Sequence, residues 1–134
     1  MNDARAALRE LAAALRALHH RLLLATQKSF EKLHGRVDGP GALLQLAVHD
    51  PLFAWLRPLS RTVALLDELA DAEQVGSPDF ARAAAEVAEL VDENSEFRAA
   101  YLVYLQSEPD VVIAHADLRK LISRAASPAP VVGK

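Results

Sequence analysis

"ARAALRELAAALRALHHRLLLA", residues 4–25, sets Ala4, Leu8, Leu11, Leu15, Leu18, Leu22 and Ala25 at alternating steps of four and three. An α-helix turns once in 3.6 residues, so this spacing lines the apolar side chains along one seam, the pattern by which a helix packs lengthwise against others. The seam predicts a helix from about residue 2 to residue 34, stopped by Gly35, a residue suited to the left-handed C-terminal cap. At Leu22, Leu23 and Leu24 the apolar stripe widens, which points to contact with more than one neighbour, as inside a bundle.

Beyond that helix, "GRVDGPG" (35–41) supplies three glycines and a proline and cannot continue it. "ALLQLAVH" (42–49) then gives two further helical turns. In "AVHDPLFAWLRPLS" (47–60) Asp50 followed by Pro51 reads as an N-cap with proline at the first helical position, where its missing N–H is no loss. Pro58 lies two turns further on, so in a continuing helix its ring meets the carbonyl of Ala54. The cost is roughly 3 kcal/mol, and a bend is expected. Phe53, Leu56, Leu59, Val63, Leu66 and Ala70 hold helical phase across it, which predicts a proline-kinked third helix with Trp55 covering the elbow.

"DAEQVGSPD" (71–79) breaks the pattern, and Ser77-Pro78-Asp79 repeats the start signal. Phe80, Ala83, Val87, Leu90, Asn94, Phe97, Tyr101 and Tyr104 form the next seam. Asn94 admits two readings, a polar residue fixing register within one long helix or the neighbourhood of a new cap; the surviving phase favours one helix. Ser107 with Asp110 resembles a capping box and opens a last helix, whose inner face is Val112, His115, Leu118 and Ile122. The expectation is an all-α, four- or five-helix bundle over residues 1–124, with helices at about 2–34, 40–49, 51–72, 78–106 and 108–124. Two of them are long. "SPAPVVGK" lacks periodicity, and residues 125–134 are expected to be a disordered tail.

Composition narrows the function. With 134 residues, 51% of them hydrophobic, the chain can bury a core without staples. It has no cysteine, which excludes disulfides, a thiolate nucleophile and Cys-ligated metal. No segment reaches the roughly 18 uninterrupted apolar residues of a membrane span, and Arg9, Glu10 and Arg16 interrupt any signal-peptide core, so a cytoplasmic protein is expected. A net charge of −3 gives no attraction to nucleic acid. That charge is uneven: residues 1–36 are basic, residues 62–98 carry ten carboxylates against Arg82 and Arg98, and the two regions are expected to pack together.

Chemistry-bearing residues are few. A dimetal carboxylate bundle needs two Glu-x-x-His pairs, and Glu31 to His34 is the only one; His-Glu-x-x-His is absent. The carboxylates Glu86, Glu89, Glu93 and Glu96 read as a solvated face, and no serine has a nucleophile-elbow context. These absences predict no catalytic residues, metal site or cofactor, and a non-enzymatic protein acting by protein–protein association, including a homodimer through helix 1. The alternative is an interior site for a small molecule, haem or metal built from His20, His49, Trp55, Tyr101, Tyr104 and His115, with the tyrosines as hydroxyl handles beside Phe97.

"HDPLFAWLRPLS" (49–60) and "YLQSEPDVVIAHADLRKLI" (104–122) resemble stretches of small helical bacterial proteins with no assigned activity, and the resemblance covers about half the chain. The preference for Arg over Lys is similar to that of proteins from GC-rich bacteria. The resemblance implies a helical fold and assigns no functional residue.

Overall fold

A computed structural model describes residues 3–126, with no strand among them. Six α-helices and one 3-10 helix follow in order: α1 (Asp3–His34), α2 (Gly39–His49), the 3-10 helix (Pro51–Leu56), α3 (Arg57–Asp71), α4 (Ser77–Asp92), α5 (Ser95–Ser107) and α6 (Pro109–Ala126). α6 runs two residues past the expected end at 124, and the rest of the expected tail, 127–134, lies outside the described residues.

The α1 seam does what its spacing requires. Leu8, Leu11, Leu15, Leu18 and Leu22 are fully buried, and Thr26 joins them by donating its hydroxyl to the Leu22 carbonyl at 2.7 Å. α3, α4 and α6 cover the seam, so it is consumed within one chain. That removes the seam as the surface for a homodimer through helix 1. Gly35, at φ 91°, ends the helix by giving its N–H to the Glu31 carbonyl at 2.9 Å, the left-handed cap the sequence calls for.

The kinked third helix is not what forms. Residues 51–56 wind as a 3-10 helix capped by Asp50, whose side chain accepts from Leu52 N at 2.9 Å, and α3 starts afresh at Arg57. In 3-10 winding each N–H reaches back three residues, so the Ala54 carbonyl is taken by the Arg57 N–H and never meets the Pro58 ring. Pro58 thereby falls in the first turn of α3, where a proline costs no hydrogen bond.

The second long helix also divides. Asn94 adopts an extended conformation and accepts from Phe97 N at 2.9 Å, making it the N-cap of α5. The expected helix over 78–106 therefore becomes two, because a capping Asn satisfies a helix-end donor that continuation would leave it competing for. The count rises to six. α4 itself starts one residue early: Gly76 is its N-cap and donates its N–H to Asp79 at 2.8 Å. The expected Ser107 capping box does not form, since the Ser107 hydroxyl bonds to the Val103 carbonyl at 3.0 Å instead. On α6 the inner face is Val111, Leu118, Leu121 and Ile122, while Val112 is exposed.

Charge pairing follows the packing. Arg9 meets Asp71 at 3.1 Å and Arg16 meets Asp67 at 2.6 Å along α1 and α3, and Arg124 of α6 meets Glu10 at 2.9 Å. Arg5 donates to the carbonyls of Ala70 and Ala72 at 2.5 and 2.8 Å, placing a cation on the negative end of α3. These pairs stand in solvent and orient the helices more than they stabilise them.

Candidate functional site

Of the residues the sequence nominates, the structure brings four together. Trp55 stacks on Tyr104 with ring centres 5.6 Å apart and lies 5.2 Å from Phe97; Phe97 leads at 4.9 Å to Tyr101, and Tyr101 at 5.5 Å to His115. The 3-10 helix, α5 and α6 supply these rings. Both tyrosine hydroxyls are engaged, Tyr101 with His115 Nδ1 at 2.6 Å and Tyr104 with Ser29 at 3.0 Å. Burial pushes the Tyr101 phenol far above its usual range, with Arg119 opposing and Asp92 assisting. Burial also lowers the His115 pKa below its usual 6.5, Arg119 adding to the effect and Asp92 opposing it. Rings touching rings, with hydroxyls already bonded, make this row a packed wall.

His20 and His49 belong elsewhere. His20 is exposed on α1, and His49, exposed at the end of α2, borders a shallow cleft of about 650 Å³ with Phe30 and Val37. The three nominated histidines do not converge, and among the described residues no group of three or more potential ligands is placed to hold a metal ion. Glu31 accepts from Val37 N at 2.8 Å while His34 lies on Phe30 with ring centres 4.6 Å apart, so that pair holds the end of α1.

α2 provides the open site. Gly39, at φ 85°, and Pro40 start it after a four-residue connection, and Asp50-Pro51 stops it. Leu43, Leu46 and Ala47 rest on the core without any α2 residue becoming buried, while Leu44 and Val48 remain 61% and 51% exposed. One side of α2 faces the His49 cleft. The other side overhangs a second cleft of about 380 Å³, where Leu43, Leu44, Ala47 and Val48 oppose Leu23, Phe53 and Leu56.

One end of this second cleft is polar. His19 Nε2 lies 3.1 Å from the Ser60 hydroxyl, and Arg57 donates from Nη2 to the Val48 carbonyl at 3.1 Å. Burial lowers the His19 pKa below 6.5, and the neighbouring His20 acts in the same direction, so His19 is neutral at pH 7. Among the described residues no carboxylate is hydrogen-bonded to His19. A histidine and a hydroxyl without a third group to orient them match a binding pair better than a nucleophile and its base. Sequence reasoning missed His19, Ser60 and Arg57. The signal was present, because His19 and Ser60 each follow a seam leucine, Leu18 and Leu59, and so flank one packed interface from its two sides.

No family model, curated protein or solved structure matches this chain.

Proposed function

We propose that this chain is a non-catalytic, cytoplasmic helical-bundle protein that binds an apolar or amphiphilic small molecule in the cleft beneath α2. The observation that carries the reading is α2 itself: a helix rich in leucine, alanine and valine, none of them fully buried, that overhangs a cleft lined mostly by apolar side chains. Apolar surface left in water costs about 25 cal/mol per Å², and a cleft of this volume falls within the range of small-molecule sites. A ligand beneath α2 removes from water what folding leaves there.

The test is uptake of a neutral, environment-sensitive dye such as Nile red. Enhanced fluorescence with the native chain, lost on filling the cleft by Ala47→Trp, is the expected result; an Ala47→Trp protein that takes up the dye unchanged would refute the site.

Protein association is the second reading, favoured by Leu24, Leu102, Val103, Val112 and Ile113, which are large, apolar and exposed on α1, α5 and α6. In this reading self-association through α1 uses its outer face, where Ala13, Ala17 and Leu24 are exposed, since its seam is buried. Light scattering at tens of micromolar distinguishes monomer from dimer. No described helix is long and apolar enough to cross a membrane.

A further inference from the structure

We infer that the cleft beneath α2 takes a single-chain amphiphile with one carboxylate head, its hydrocarbon tail between α2 and Leu23 and its head group at Arg57 and Ser60. The inference rests on the proposed reading of that cleft and adds the charge and chemistry of what enters it.

Charge selects the head group. The cleft is lined by one cation, Arg57, and by no carboxylate. Arg9, Arg16, Arg119 and Arg124 each meet a carboxylate, whereas no described ion pair holds Arg57, Arg61, Arg82 or Arg98, and of these four only Arg57 lines this cleft. Arg57 is exposed and spends its described hydrogen bond on a neutral carbonyl, that of Val48, so a guanidinium with five N–H donors retains its charge and further donors at the cleft mouth. A planar fork of this kind fits a carboxylate with two parallel bonds. One positive charge balances one negative charge; a phosphate dianion would remain uncompensated.

Ser60 supplies the second contact by a choice of tautomer. A neutral His19 can accept the Ser60 proton at Nε2, or carry its own proton there and donate to the Ser60 oxygen. The second arrangement frees the Ser60 O–H to donate to an anionic oxygen. An arriving carboxylate therefore selects the His19 Nε2–H to Ser60 Oγ to carboxylate chain, with no net proton transfer. The apolar remainder of the cleft, Leu23, Leu43 and Ala47 above the buried Phe53 and Leu56, offers a hydrocarbon tail nothing but carbon. α2 is the outer wall, bounded by positive-φ glycines at 35 and 39 on one side and the Asp50-Pro51 cap on the other.

The test is titration calorimetry of the full chain with dodecanoate and with dodecanol, both below the concentrations at which they aggregate. Dodecanoate is expected to bind about tenfold or more tightly than dodecanol, as a charge-assisted hydrogen-bonded pair implies. Arg57→Gln should abolish that preference while leaving dodecanol binding in place, and Ser60→Ala should weaken dodecanoate alone by several-fold. Circular dichroism verifies that each variant is folded, and Arg57→Lys, which keeps the charge and loses the fork, should keep only part of the preference. Equal binding of the acid and the alcohol by the native chain, or a preference that survives Arg57→Gln, overturns the head-group inference and leaves the apolar cleft standing. Absence of binding by dodecanoate, dodecanol and Nile red together overturns the cleft reading itself.

Discussion

His115 and His19 are the two histidines whose surroundings disfavour the protonated imidazole. Each is partly withdrawn from water, which penalises the imidazolium, so each has a folded-state pKa below the 6.5 of an unfolded chain. His115 is further held neutral by Arg119, against the weaker pull of Asp92, and His19 by His20. The unfolded chain therefore binds more protons than the folded one as the pH drops below about 6.5. Their contribution to stability is complete above 6.5 and is lost as pH falls from there towards the lower folded-state values. Urea unfolding at pH 7.5, 6.5 and 5.5 should give a midpoint steady over the first interval and falling over the second. His115→Asn should reduce that fall, leaving the share due to His19. A midpoint that rises on acidification would contradict the assignment.

At the scale of elements the junction at Leu56–Arg57 decides how Pro58 behaves. In the middle of a helix, Pro58→Ala would restore a hydrogen bond and stabilise the protein by about 3 kcal/mol. In the first turn of α3 no bond is missing. The substitution instead frees the unfolded chain, and it should destabilise by about 0.5–1 kcal/mol, read as a lowered urea midpoint. A gain of stability would restore the kinked helix. The same junction shows what the sequence can and cannot convey. The helices were legible because Leu8 to Leu22 and Ala83 to Leu90 must recur every three or four residues to reach one core. The break at Asn94 was legible only as the second of two readings, because α5 resumes in phase and Phe97 and Tyr101 still reach that core, so a divided helix leaves the periodicity of a continuous one. Val111 rather than Val112 faces inward on α6 because "VVI" is apolar throughout, and only three-dimensional packing chooses among its members. The Trp55–Tyr104 row was legible as aromatic residues on seams. For His19 and Ser60 the sequence held only their places after Leu18 and Leu59; 41 residues apart, they meet because α1 and α3 pack side by side.

Across the whole molecule, the proposed site has its floor on the core, at Phe53 and Leu56, and its outer wall in α2, which stands outside the core. α1 is the rod on which α3, α4 and α6 converge, and its leucines lie at the centre of one buried cluster; α2 contacts chiefly the 3-10 helix and contributes no buried residue to that cluster. This division permits a direct comparison of two leucines. Leu15 is fully buried, so Leu15→Ala removes transfer energy and leaves a cavity, and it should cost about 2–5 kcal/mol. Leu44 is 61% exposed, so Leu44→Ala should change stability by no more than about 0.5 kcal/mol. Ligand uptake should order the two the other way. Leu44→Ala removes a cleft wall and should weaken Nile red and dodecanoate binding several-fold, whereas Leu15→Ala, assayed where it remains folded, should bind as the native chain does because it lines no part of the cleft. If Leu44→Ala proves as destabilising as Leu15→Ala, α2 is part of the framework, and its exposed leucine and valine have been assigned to the wrong task.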